Sequence, residues 1–243
     1  MLKSTLAWPT ALALLAGAVF CPGCTTARVA VDPALASADH WTVEGANPRA
    51  WNTPVAFGPW RSGPVRDAGR LGWSVEVLKL GVGASRRPVA FTLTSPEETI
   101  DAECHEQAFE AWTASGWSVD LQAALDKPAL VCAFRVAGRE GGGAPATWRF
   151  ALGHARTATG GYVGELRDEG GSAAFVVRSS DRLDGTALRL GAPAGYTFER
   201  GGAPVGLVEV LNAGAVWLPA SGTPRGPLAA ASTALLLFRP AGS

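Results

Sequence analysis

The chain lacks an excess of charge of either sign: 21 Lys and Arg stand against 21 Asp and Glu. That balance excludes the basic stripe with which a domain grips nucleic acid or an anionic lipid surface. It is poor in Tyr (2), Met (1) and His (3), and only 17% of its residues are charged. Its longest apolar run, residues 6–20, falls short of the roughly 20 residues that cross a bilayer as a helix. No G-x-S-x-G elbow occurs, and Ser74 lies inside an alternating segment instead of at a strand-to-helix turn. The Gly-rich stretch 138–143 has no Lys-Ser or Lys-Thr after it and opens no helix, which makes it a hairpin loop and not a phosphate cradle. No cofactor motif is left. A hydrophobic content of 47% excludes wholesale disorder.

What is present begins at the N-terminus. Lys3 is followed by the apolar run 6–20 and then by Cys21, Pro22, Gly23 and Cys24. The run has the length of a secretory signal core, and Trp8-Pro9 inside it argues against a buried helix. Cleavage before Cys24 puts the small Gly23 at the preceding position, whereas cleavage before Cys21 would put Phe20 there. The stretch resembles a bacterial lipoprotein signal peptide. That resemblance implies removal of residues 1–23, lipidation of Cys24, and attachment through the N-terminal lipid to a membrane of the bacterial cell envelope. Thr25, where some lipoproteins carry Asp, implies the outer membrane, facing the periplasm. Residues 24–39 are small and polar without a period and read as a tether, which as flexible coil would hold the remaining domain, 40–243, roughly 20 Å from the membrane.

Export changes the reading of the cysteines. With the leader gone and Cys24 acylated, Cys104 and Cys132 are an even pair in an oxidising compartment and read as one disulfide. A zinc ribbon needs more.

With 30 Gly and 17 Pro, the domain reads as short elements joined by many turns. An edge strand is expected at 55–60. Period-two alternation marks strands at 73–80, at 89–93 with Val89, Phe91 and Leu93 on one face, and at 99–105 with Ile100, Ala102 and Cys104 on one face. Residues 81–88 read as the turn between the first two. Phe109 and Trp112, three apart, suggest a short helix ended by Gly116, with a second at 121–125. Alternation resumes at 129–136 with Leu130, Cys132, Phe134 and Val136 inward, so both cysteines sit on apolar strand faces, where a bridge across the core is geometrically possible. A meander follows at 148–152, 162–167, 172–178, 187–190, 196–199, 205–211 and 215–218. The total is roughly ten to twelve strands, the pattern of an antiparallel barrel or sandwich.

Residues 228–238, LAAASTALLLF, break that pattern. The segment is rich in Ala and Leu, has Pro227 at its start and no charged face, so it is expected to be a helix buried on all sides. Too short to span a bilayer, it needs the protein around it. In the order of these elements, a last meander at 196–218 and then the apolar helix, the chain resembles tubby-like domains, including the phospholipid scramblases. The resemblance implies a closed antiparallel barrel wrapped round the C-terminal helix.

Candidate chemistry is sparse. Asp101, Glu103 and His105 share one strand face, with Glu97, Glu98 and Glu106 close in sequence, a donor set that would hold a divalent metal only if loops added ligands. A solvated strand face explains the same pattern. Cys104 and His105 point to opposite faces, so they make no catalytic dyad. The tryptophans would serve a glycan or peptide groove or simply the core. The sequence therefore supports a lipid-anchored envelope protein with a binding or structural role and an envelope protein or glycan as partner; the alternative is a periplasmic enzyme, metal-assisted or hydrolytic.

Overall fold

A computed structural model of the chain describes residues 26–45, 53–69, 71–77, 80–113, 118–119, 128–138, 144–155, 161–170, 173–221 and 223–239, and of 72–77, 80–83, 108–113, 118–119 and 173 the backbone alone. The leader, Cys24, and the expected helix at 121–125 lie outside them. The strands are β1 (Asp39–Thr42), β2 (Ala56–Phe57), β3 (Trp60–Ser62), β4 (Arg66–Asp67), β5 (Leu71–Val77), β6 (Leu80–Thr94), β7 (Glu98–Thr113), β8 (Ser118–Val119), β9 (Leu130–Gly138), β10 (Ala146–His154), β11 (Tyr162–Arg167), β12 (Ala173–Ser180), β13 (Gly195–Arg200), β14 (Ala203–Glu209) and β15 (Ala215–Leu218). One helix, α1, follows at Arg225–Leu237.

Twelve strands run antiparallel in the order β1-β15-β14-β13-β12-β11-β10-β9-β7-β6-β3-β2 and form a nearly closed barrel. The two ends of that path meet where Glu44, just after β1, exchanges backbone hydrogen bonds of 2.8 and 3.0 Å with Ala56 of β2. Closure pairs edges that would otherwise template aggregation.

The alternation seen in the sequence is the inside-outside code of this wall. Val89, Phe91 and Leu93, Ile100, Ala102 and Cys104, and Leu130, Cys132 and Phe134 are all buried. The inner faces enclose α1, of which every residue from Gly226 to Leu236 is buried. Ala229, Ala230, Ala231 and Ala234 keep it slim, and Leu228 and Leu235 fill the space to the wall, each worth about 1.5–3 kcal/mol of burial. Its two hydroxyl residues satisfy themselves: Ser232 Oγ donates to Leu228 O at 2.7 Å and Thr233 Oγ1 to Ala229 O at 3.0 Å. The helix starts earlier than expected, at Arg225, and Pro227 sits in the first turn, where a missing N–H removes no intrahelical bond.

Four expectations fail. Residues 81–88 make no turn, because β6 runs unbroken for 15 residues; Pro88 causes no break, since a strand tolerates Pro where its neighbour needs no N–H. The expected helix at Phe109 and Trp112 is the far end of the 16-residue β7, tertiary pairing with β6 overriding the local spacing. Residues 187–190 form only an isolated bridge, Arg182 to Arg189.

The fourth is the tether. Residues 26–38 are strapped along the outside of the barrel. Val29 bridges Leu183, Asp32 caps a short turn at Pro33–Leu35, and Val29 and Leu35 pack with Ala194, Leu207, Ala215 and Trp217 in a second core. The apolar residues of this segment are too few to show a period yet enough to dock it.

Candidate functional site

The predicted site residues part company. In register, Cys104 of β7 faces Cys132 of β9, with Cα atoms 4.1 Å apart and the sulfurs at disulfide distance. The expected pairing of Cys104 with Cys132 is thus present, and it joins neighbouring strands of one wall instead of crossing the core: cysteines directly opposite on adjacent strands reach each other more easily than cysteines on facing walls.

Asp101, Glu103 and His105 do share the outer face, as alternation required, yet they do not converge. Asp101 Oδ1 accepts from Thr92 Oγ1 at 2.8 Å, and Glu103 lies 3.6 Å from Arg135 in an exposed ion pair. His105 lines a groove of about 650 Å³ between β4 and the β6–β7 pair, with Pro64, Arg66, Pro88 and Ala90 around it. Its Nδ1 is buried without a hydrogen-bond partner. Among the described residues no three His, Cys, Asp or Glu side chains are placed to hold one metal ion. The other histidines pack on aromatic rings: His40 is stacked on Trp217 at 4.3 Å, and His154 lies tilted against Tyr162 at 4.6 Å. Burial, and then the charge of Arg28, pull the His40 pKa down. Trp60 and Trp217 are core residues, and Trp41 carries the Arg225 guanidinium 5.4 Å from its ring, so these rings do not form an open stacking platform.

The strongest polar constellation follows no sequence motif. At the C-terminal end of α1, Arg87 points into the barrel. Its Nε donates to Asp67 Oδ2 at 2.9 Å, Nη2 pairs with the same oxygen, and Nη1 donates to Glu106 Oε1 at 2.8 Å and to Leu237 O at 3.3 Å. Glu106 Oε1 also accepts from the Arg239 backbone N–H at 2.9 Å, and Arg239 Nη1 reaches Leu236 O at 3.2 Å. The Asp67 and Glu106 side chains are only 4% and 2% exposed. Burial pushes the Asp67 carboxyl up, but hydrogen bonds from Arg87 and the Gly69 N–H, with the Arg87 charge, outweigh it and hold the pKa below its usual value. Burial and the Arg87 charge lower that of Arg239. A sequence signal existed: Arg87 is in phase with Val89, Phe91 and Leu93, and Glu106 with Ile100, Ala102 and Cys104, so charged residues fall on apolar faces. The cluster is buried and bonded to itself and to the last carbonyls of α1, and it neutralises the helix end.

The fold thus defines a class: an antiparallel barrel of twelve strands filled by the chain's own C-terminal helix. Compared with known proteins, the chain matches no family model, and no curated protein and no solved structure matches it.

Proposed function

We propose that this chain is a lipid-anchored lipoprotein of the bacterial envelope, attached through Cys24 and facing the periplasm from the outer membrane, with a binding or structural role. The observation that carries this reading is the Cys104–Cys132 pair, registered opposite each other at disulfide distance, which suits an oxidising compartment and agrees with the leader-like stretch ahead of Cys24. The interior is occupied by α1, so recognition of an envelope protein or glycan falls to the outer surface. A tubby-like kinship is part of the proposal; the order of meander and enclosed helix supports it. The test is replacement of Cys24 by Ala followed by palmitate labelling and fractionation. Loss of label and of the membrane-bound pool is expected, and unchanged labelling would overturn the assignment.

A further inference from the structure

β6 and β7 do not stop at the barrel rim. β9 pairs with β7 only over 98–106, and Arg87, in register with Glu106, marks the level of the C-terminal end of α1. Beyond that level, residues 80–86 and 107–113 continue as a pair, flanked by β5 on one side and β8 on the other. A four-stranded sheet therefore projects past the rim.

Its two faces differ in composition. Register places Trp73 beside Ala84 and Phe109, and Val75 beside Val82 and Ala111. By alternation these positions share the face of Leu71, which is 71% exposed, and continue the outer face of the barrel. The opposite face carries Ser74 beside Gly83 and Glu110, and Glu76 beside Gly81, with Trp112 as its one large apolar residue. A face that sequence alternation makes apolar, on a projection past the rim, fits a contact surface.

What it contacts follows from where the chain enters. Asn212, in a left-handed conformation at φ 54°, donates from Nδ2 to Ala27 O at 2.8 Å. The same turn lies against the C-terminal end of α1, since a Cβ on Gly214 would come within 2.9 Å of Leu236 Cδ2. Ala27 is therefore pinned at the rim from which the extension projects. Only Thr25 and Thr26 separate it from Cys24, a reach of about 10 Å at full extension. An acyl group on Cys24 brings this rim to the bilayer instead of holding it off on a tether.

We propose that the outer face of the β5–β8 extension rests in the interfacial layer of the membrane that holds Cys24. The inference rests on the lipid-anchor reading. At about 3.3 Å per residue the seven residues of β5 reach roughly 20 Å, too short for the 9–11 residues a strand needs to cross. The contact is thus superficial, and exposed Arg86 at the root of the same face stands where headgroup phosphates lie.

The test uses the full lipidated chain in vesicles of phosphatidylethanolamine and phosphatidylglycerol. An environment-sensitive fluorophore is attached at V75C, on the apolar face, and for comparison at E76C on the opposite face and E97C at the other end of the barrel. Quenching by nitroxide-bearing lipid should be several-fold stronger at position 75 than at 97, with 76 between them. Equal quenching at 75 and 97 in vesicle-bound, palmitate-labelled protein overturns this proposal alone. A probe at 75 shielded from both lipid and aqueous quenchers also overturns it and assigns the face to a protein partner or a second copy. Absence of palmitate on Cys24 overturns the anchor reading and this inference with it.

Discussion

The two ends of α1 meet the barrel in opposite ways. At the C-terminal end two arginines, Arg87 and Arg239, bond to the last carbonyls, and Asp67 and Glu106 balance them. At the N-terminal end there is no side-chain cap; the Glu98 carboxylate lies so close that a Cβ on Gly226 would collide with it. Glu98 Oε2 is buried and without a hydrogen-bond partner, and burial, then the neighbouring Glu97, raise its pKa. The arginines on the last carbonyls and the acid beside the first turn each have the sign of charge that the helix dipole favours there. One is a network of several charged hydrogen bonds and the other a single desolvated acid, so the C-terminal end should dominate stability.

Breaking that network should give the largest effect. Arg87→Met removes the guanidinium that bonds both buried carboxylates and should lower unfolding free energy by about 3–5 kcal/mol in denaturant titration. Between the ends, the bridge tying β7 to β9 is next. Replacing Cys104 and Cys132 by Ser opens a loop with a sequence separation of 28 and should remove about 3 kcal/mol, with the unreduced parent protein showing the mass of the oxidised pair.

At the N-terminal end the signature is coupling. Gly226→Ala should destabilise in the native background and much less beside Glu98→Ala, an interaction of roughly 0.5–3 kcal/mol in a double-mutant cycle. The two acids also titrate in opposite senses. Asp67, with its pKa depressed, contributes stability that is complete above its unfolded value near 4 and lost as pH falls through its folded value. Glu98, with its pKa raised, carries a penalty above its folded pKa that mild acidification relieves. Denaturation midpoints followed from neutral to acid pH should lose the early gain in Glu98→Gln and the later fall in Asp67→Asn.

The smallest effect belongs to the outer face. Asp101→Ala removes one exposed bond to Thr92 and should change stability by no more than about 0.5 kcal/mol. A stoichiometric divalent ion lost in that variant would return a metal centre to this face.

Much of the wall was legible because period-two alternation is a local property: Val89 to Leu93 and Leu130 to Phe134 declare their inner faces without any neighbour. The helix was legible for a similar reason, an apolar segment too short for a membrane and too even for a surface. What alternation conceals is where a strand ends. Gly81, Gly83 and Pro88 look like a turn, yet β6 continues through them because β5 and β7 pair with it on either side. The charges at the helix ends were hidden by distance: Arg87 bonds Leu237 across 150 residues of sequence, and only their phase among apolar neighbours betrayed them. The docking of 26–38 depended on Val29 and Leu35, while the third large apolar residue of the stretch, Val31, stays exposed, a selection that no periodicity can announce.

The central claim is that α1 is the interior of the barrel and not an appendage to it. Native-state amide hydrogen exchange across 229–236 tests it most directly. Helix amides enclosed by the wall should exchange only through global unfolding, with protection free energies equal to that of β7 and β9 and falling in step with them in Arg87→Met. Exchange of those amides through local opening, at free energies well below that of the strands, would contradict the account.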